Sequence, residues 1–263
     1  FVNNPIQHLT DPAYAGEVRK YIPLNRAVPS ASLHPGSAQG EKEETTHYSI
    51  ADRDGMAVAV TYTLNGWFGS GVVAGRTGII MNDEMDDFSS RPGQPNMFGI
   101  VGSAANAIAP GKTPLSSMAP TIVSRDGKPV LVMGSPGGSR IPTIVLSVLL
   151  GVVDYGLDVQ QAVDLPRIHE QWQPDVVQVE HGALSPAVTR QLTHEGYTIE
   201  EHAPWGLAET ILAGGPRIGK AGGMRYYGGA DMRHQSGAAV GEYGAGVFFH
   251  HPLVHGAGVC VRT

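Results

Sequence analysis

Chemistry can begin at Thr45, where Ser37-Ala38-Gln39-Gly40-Glu41-Lys42-Glu43-Glu44 runs into Thr45-Thr46-His47-Tyr48-Ser49-Ile50-Ala51-Asp52. The first run is polar with no apolar face to bury, which predicts a mobile, solvated segment. The second has the alternation of a strand. A threonine on that border becomes a new N-terminus if the Glu44–Thr45 bond is cut. Its hydroxyl alone is a poor nucleophile at neutral pH. A free α-amino group on the same residue, with a reference pKa of about 7.7–8.0, can act as its general base. One residue then supplies both parts. Taken alone, Thr45 and Thr46 read more simply as β-branched residues opening a strand.

Acyl transfer on such a nucleophile needs donors for the developing oxyanion and groups that hold the substrate. Gly137 and Gly138 precede an apolar run and can expose backbone N–H donors that bulkier residues would cover. A tight turn needing positive φ accounts for them equally well. Asp83, Glu84, Asp86 and Asp87 form an acidic cluster, most of it expected to be solvated loop, although paired carboxylates favour a cation. Ser116 and Ser117, between Pro114-Leu115 and Met118, suit a hydrogen-bonding pair, a turn or a cap.

Periodicity supplies the elements that must position these residues. Thr45–Ala51 and Met56–Leu64 read as strands joined by Asp52-Arg53-Asp54-Gly55, with Gly71–Val73 and Gly78–Met81 as further short strands. Ala119–Ser124 and Val130–Gly134 flank Arg125-Asp126-Gly127-Lys128-Pro129, a second hairpin whose outgoing strand enters the Gly-rich turn at 134–138. That turn opens a helix over Ile141–Val153, apolar on nearly all sides, capped by Ser139 or its neighbours and expected between layers. Asp158–Val163 is a second capped helix ended by Pro166. Ser185-Pro186-Ala187 starts a third, ended by Gly196. Val176–Glu180, Thr198–Glu201 and Glu209–Ala213 are further strands. Upstream, a short helix near Tyr14–Tyr21 precedes a connector rich in Pro29, Pro35, Ser30, Ser32 and Gly36. Strand clusters enclosing apolar helices suit a layered α+β sandwich.

At 263 residues, 41% hydrophobic and 16% charged, the chain can bury one sizeable core. A net charge of −6 without a Lys/Arg cluster argues against a nucleic-acid partner. Cys260 is the single cysteine, which excludes an intrachain disulfide and a cysteine-based metal site. The histidines are scattered and His250-His251 lacks ligand spacing, so no metal site is predicted. Ile141–Val153 falls short of the ~18–20 residues that span a bilayer. Phe1 in place of Met reads as a fragment whose targeting sequence lay upstream.

Four motifs in one order, Thr45-Thr46-His47-Tyr48-Ser49, Met81–Ser89, Pro114–Thr121 and Gly134–Arg140, together resemble the gamma-glutamyltransferase (gamma-glutamyltranspeptidase) family from about Asp11 to about Gly241. The resemblance implies an N-terminal-nucleophile hydrolase of four-layer αββα fold that cleaves itself before Thr45. Residues 1–44 then close the large subunit and carry the pre-cleavage linker. Residues 45–241 form the catalytic small-subunit domain. Glu242–Thr263 has no counterpart and is an extension or the product of a shifted reading frame.

It further implies that Thr45 is the nucleophile, that Thr63 hydrogen-bonds to it, and that Gly137 and Gly138 form the oxyanion hole. Asn65, Glu84 and Asp87 hold the donor's α-amino group, with Gln in some relatives where this chain has Glu84. Ser116 and Ser117 bind its α-carboxylate, and the arginine that pairs with that carboxylate lies before Phe1. Phe98 takes the place of a lid tyrosine without its hydroxyl. The implied substrates are glutathione or another γ-glutamyl donor, with water or an amino acid or peptide as acceptor. No cofactor is implied, the large subunit of the same precursor is the partner, and localisation is periplasmic or secreted. Two alternatives stand beside this: a cephalosporin (glutaryl) acylase of the same family, and an inactive fragment lacking the large subunit.

Overall fold

The structure, a computed structural model, describes residues 5–32, 45–94, 96, 100–214, 217–218, 226–233, 237–243, 246–249 and 258–262. The expected first helix is α2 (Pro12–Lys20), preceded by the single turn α1 (Ile6–Leu9). Asp11 caps α2, its carboxylate accepting from the Ala13 N–H at 2.8 Å. The next reversal is made by Asp52, which accepts from the N–H groups of Asp54 and Met56 at 2.9 and 2.8 Å. It joins β1 (Thr45–Ala51) to β2 (Ala57–Thr63) as an antiparallel pair with Thr45 opposite Thr63 and Ala51 opposite Ala57.

β3 (Thr121–Arg125) and β4 (Lys128–Gly134) form the second expected hairpin. After β4 come α3 (Ile141–Val153), α4 (Val159–Asp164), β5 (Ile168–His169) and β6 (Val177–Glu180). Then follow α5 (Pro186–His194), β7 (Ile199–His202), β8 (Glu209–Ala213) and β9 (Tyr226–Ala230), and last β10 (Ala238–Tyr243), β11 (Gly246–Phe249) and β12 (Gly258–Arg262). α4 begins with the capping box of Asp158 and Gln161, and α5 with Ser185 accepting from Val188 N–H, as their sequences predict. β9 and β10, close in sequence, lie in different sheets.

Three sheets result. One has the order β11-β10-β12-β1-β2, the second β3-β4-β8-β9 and the third β5-β6-β7. The alternation along β4 shows how the first two are layered. Val132 packs with Ala51 and Ile211 between the sheets, whereas Leu131 and Met133 point the other way, into a core with Ile141, Val148 and Val163. The order among the described residues is therefore sheet, sheet, then α3 and α4. β12, from the stretch left unassigned by sequence, pairs in parallel with β1 at Ile50–Cys260 and Ala51–Val261.

Several expectations are corrected. Gly71–Val73 and Gly78–Met81 are not sheet strands. They meet in the single bridge Val73–Ile80, because Gly69, Gly71, Gly75 and Gly78 all take positive φ and turn the chain too often for a ladder. α3 is not enclosed on all sides: Leu146 and Val153 are 50% and 44% exposed, since α3 is an outer element among the described residues. Ser139 does not cap it. The N-cap is Arg140, without a side-chain cap, and the Ser139 hydroxyl donates to Gln171 Oε1.

A buried ion network ties the far end of the chain to this core. Asp231 pairs with Arg167 and, at 3.1 Å, with Arg233, while Arg233 pairs with Glu180 at 2.7 Å. The carboxylate of Asp231 also accepts from Ala208 N–H at 2.8 Å, which fixes the entry to β8. Glu209, the first residue of β8, is wholly buried, and neither carboxyl oxygen has a hydrogen-bond partner among the described residues. Burial, reinforced by the Asp231 charge, pushes its pKa from 4.5 up to about 9. A pKa raised on folding contributes stability that is complete below the unfolded value and is lost as pH rises through the folded one. Glu209 therefore weakens the fold progressively from about pH 4.5 toward pH 9. Glu209→Gln is expected to gain roughly 2–3 kcal/mol at about pH 7 and nothing at about pH 4, read from urea unfolding at both. Equal gains at the two pH values would show that the carboxyl is not held protonated.

Candidate active site

β1 carries Thr45 at its first position, and the period of 2 places it on the same face as the buried His47, Ser49 and Ala51. That face looks toward β4. His47 is 1% exposed, with Thr61 Oγ1 2.9 Å from Nδ1 and Ser49 Oγ 3.1 Å from Nε2. Ser49 donates its own hydroxyl to Glu209 O at 3.0 Å, so it accepts from Nε2–H, and Nδ1 accepts from the Thr61 hydroxyl. Burial lowers the His47 pKa to about 4, and the ring is neutral at physiological pH. A Cβ on Gly134 would lie 2.2 to 2.7 Å from three ring atoms of His47, so the glycine at the end of β4 is what admits the ring.

Beyond Gly134 the chain enters the turn that sequence reading assigned to oxyanion donors. Gly137 and Gly138 have φ of 147° and 52°, and a Cβ on Gly137 would meet Ile144 Cδ1 at 2.7 Å. The turn requires glycine, and Gly138 also lines the main cavity. Ser117 Oγ donates to Gly138 O at 2.8 Å, which couples the serine pair to the turn.

The acidic side is laced to β2. Asn65, 3% exposed at φ 74°, reverses the chain after Thr63, and its N–H donates to Thr63 Oγ1 at 2.9 Å. Asp83 Oδ1 accepts from Gly66 N–H at 2.9 Å, and Asn65 Nδ2 reaches Asp83 O at 3.4 Å. Glu84–Asp87 then forms a 3-10 turn, in which residues three apart eclipse and the two carboxyls share one side. Glu84 is raised to about 7, by burial first and then by the Asp87 charge and a hydrogen bond to Asp87. Asp87 is also raised, chiefly by burial, while the hydrogen bond from Glu84 acts in the opposite direction. Glu84 therefore titrates near neutrality, and in its protonated form donates to the Asp87 carboxylate.

One cavity of about 710 Å³ gathers Thr45, Thr63, Asn65, Asp87, Ser116, Ser117 and Gly138. Glu84 and Gly137 are not part of its lining. Phe98 lies outside the described residues. Sequence reading missed Asn106, whose Nδ2 donates to Asp87 O at 2.7 Å and whose Oδ1 accepts from Leu115 N–H at 2.9 Å. This one side chain spaces the acidic turn from the serine pair. No motif announces it, since it acts through backbone groups distant in sequence. Trp172, which also lines the cavity, was missed for the same reason. Among the described residues no group of three or more His, Cys, Asp or Glu is placed to hold a metal ion.

Such a site brings together a threonine hydroxyl at the start of β1, the glycine turn after β4, a carboxyl and two serine hydroxyls. Residues 1–241 match the family model described as gamma-glutamyltranspeptidase. A glutathione hydrolase proenzyme of Pseudomonas sp. (strain A14) is 49% identical over 243 residues, 92% of this chain and 42% of that protein. The chain thus spans less than half the length of this relative. A mutant of the gamma-glutamyltranspeptidase of Helicobacter pylori superimposes with a TM-score of 0.67 at 46% identity, covering 72% of this chain and all of that one. A cephalosporin acylase from Bacillus halodurans superimposes with a TM-score of 0.66 at 26% identity, over 88% of this chain and 39% of its own. With nearly the whole chain matched by one family model and by a relative near half identity, the chain belongs to the gamma-glutamyltranspeptidase family.

Proposed function

We propose that the complete protein containing this chain cleaves the γ-glutamyl amide of glutathione and related compounds and passes the glutamyl group to water, an amino acid or a peptide. The observation that carries this reading is the convergence of Thr45, Asn65, Asp87, Ser116, Ser117 and Gly138 on one cavity, with Thr63 directly across the ladder from Thr45. Cleavage before Thr45 proceeds by attack of Thr45 Oγ on the Glu44 carbonyl. The resulting ester is hydrolysed by water and leaves Thr45 with a free α-amino group. In turnover, that amine takes the hydroxyl proton as Oγ attacks the γ-carbonyl, and it returns the proton to the departing amine. Gly137 and Gly138 N–H groups hold the oxyanion. Water or an acceptor amine then attacks the Thr45 ester and restores the hydroxyl.

The donor's ammonium sits against Asp87 and Asn65, and its carboxylate against Ser116 and Ser117. The chain upstream of residue 45 belongs to the large subunit, the partner in the mature heterodimer, and residues 45–241 are the small-subunit domain. The full assembly is the four-layer αββα sandwich, the upstream subunit completing the layers, and its place is the periplasm or the cell exterior. Support for a precursor comes from the relative's name, which calls it a proenzyme. A glutaryl acylase is the second reading, supported by the acylase superposition. A glutaryl chain lacks the ammonium for which the acidic pair is suited, and this favours the glutamyl reading.

In the complete precursor, Thr45→Ala is expected to leave a single uncut chain, because the attacking atom is gone; denaturing gel electrophoresis reads this directly. Cleavage at 44/45 at the native rate would assign the cut to a separate protease. Asp87→Asn is expected to raise donor KM and lower kcat/KM by about 10- to 100-fold while processing proceeds, since a charge-assisted contact of ~1.5–3 kcal/mol is weakened. Blocked maturation with normal turnover of the matured fraction would refute the role. Glu84 supplies the pH dependence. As its pKa of about 7 is passed downward the cage gains a proton, so donor KM should rise below about pH 7. Glu84→Gln should flatten that limb, and an unchanged KM profile would separate Glu84 from the ammonium site.

A further inference from the structure

Gly137 and Gly138 carry no side chain by which their amides could be aimed, so the aim must come from the residues that follow and from what holds those in turn. Gly138–Arg140 is a 3-10 turn, and Arg140 N–H donates back to Gly137 O at 2.9 Å. Two side chains fasten this turn from elsewhere in the fold. The Ser139 hydroxyl donates to Gln171 Oε1, and the Thr143 hydroxyl, in the first turn of α3, lies 2.9 Å from Arg140 O. Both lead to one ring. His169, the last residue of β5, sets Nε2 2.9 Å from Gln171 Oε1 and Nδ1 2.8 Å from Thr143 Oγ1.

The protons on this ring can be assigned from its partners. Gln171 Nε2 donates to Gln173 O at 3.0 Å, which turns the amide oxygen toward the ring, so Nε2 carries a proton. Burial keeps the ring neutral by lowering its pKa, against the opposing hydrogen bond to Gln171. Nδ1 is then an acceptor, and the one proton of Thr143 lies between it and Arg140 O. A buried, neutral histidine is most often core packing. What sets His169 apart is that both of its bonds lead, through one further side chain each, to the residues that directly follow the two glycines. The third sheet anchors the whole: His169 pairs with Gln178 on β6, and Gln178 Oε1 accepts from Arg140 Nε at 3.0 Å. Neither His169 nor Thr143 lines the cavity, and His169 is 2% exposed, so any effect on the reaction passes through the turn.

We propose that His169 is a positioning residue for the acyl transfer: through Thr143 and Gln171 it holds the Gly137 and Gly138 N–H groups at the angle and distance at which they meet the oxyanion. This rests on the reading of those amides as the oxyanion donors. The oxyanion exists only after Thr45 Oγ has attacked, so a loosened turn costs the transition state, whereas binding of the intact donor depends on Asn65, Asp87 and the serine pair.

The test is steady-state turnover of a chromogenic γ-glutamyl anilide by the complete, cleaved protein. Thr143→Val, which keeps the branched shape and loses the hydroxyl, and His169→Leu are each expected to lower kcat about tenfold with donor KM constant within about twofold, short of the roughly 10²–10³ lost with a whole oxyanion donor. Thr143→Ser retains the hydroxyl and should bring kcat back to within about twofold of wild type. The ratio of transfer to hydrolysis should not move, because formation and breakdown of the acyl-enzyme pass the same two amides. An unchanged kcat in Thr143→Val, a loss carried by KM, or a Thr143→Ser as slow as Thr143→Val overturns the positioning role. If His169→Leu does not fold or mature, the two threonine variants decide the matter. A wild-type protein that forms no γ-glutamyl product at all would instead remove the oxyanion reading and the brace with it, a result distinct from any difference in kcat between variants.

Discussion

The ring of His47 lies between two sheets because Gly134 has no side chain, and the position of the Gly137–Gly138 turn relative to Thr45 follows from that contact. β1 brings Thr45 to the site and β4 brings Gly137 and Gly138, yet the two strands belong to different sheets and share no ladder. Packing across the gap must set their spacing. A neutral His47 with both ring nitrogens bonded, to Thr61 on β2 and Ser49 on β1, is a rigid spacer of fixed thickness. Ser49 continues the link to the Glu209 carbonyl on β8, so four strands from two sheets are referenced to one imidazole. Protonation would break this pattern by turning the acceptor nitrogen into a donor, and burial makes protonation costly. A dry, close-packed interface costs little where every polar atom is partnered.

The same interface tolerates one polar group that is not partnered. Glu209 presents a carboxyl to the gap near Asp231 and Gly237, and remains there by staying protonated. The acidic pair at the cavity uses the opposite balance. Glu84 and Asp87 are half-buried and close enough to share a proton, and Glu84 is poised near neutrality instead of far above it. An arriving ammonium can displace that proton, whereas no small cation reaches Glu209. Burial raises both glutamates, and access separates a structural acid from a binding one.

The local chemistry of this chain was legible in its sequence, and its long-range packing was not. Both hairpins, the capping box of Asp158, the Ser185 cap and the glycine turn at 137–138 are set by residues within four positions of one another, where spacing alone carries the signal. The site residues were read through motif order, and the cavity brings together those that touch it. Asn106 and Trp172 escaped because each acts on a partner that only the fold brings near: Asp87 and Leu115 for the first, Ser30 for the second. The run Gly71–Met81 misled for a local reason. Its short apolar runs, Val72-Val73 and Ile79-Ile80-Met81, read as strands, but glycines at positive φ turn the backbone before a ladder can form. α3 misled for a global one, since composition gives the hydrophobicity of a helix but not how many layers cover it.

The ion network holds segments that are distant in sequence in register with one another. Arg167 follows α4, Glu180 ends β6 and Asp231 follows β9, so the charges join segments that have no backbone bond to one another. Each ion is multiply bonded: the Glu180 carboxylate accepts from Arg233 and from the N–H groups of Arg167 and Trp205. Breaking such an arrangement leaves an uncompensated buried charge, which penalises misregistered alternatives more than it stabilises the native pairing. All of these groups lie downstream of Thr45, as do Gly134, His47 and Glu209. The proposed cut at 44/45 would therefore sever the chain outside this region, and the principal link back across it among the described residues, through Ala27 and Ser30, is made by hydrogen bonds that such a cut leaves in place.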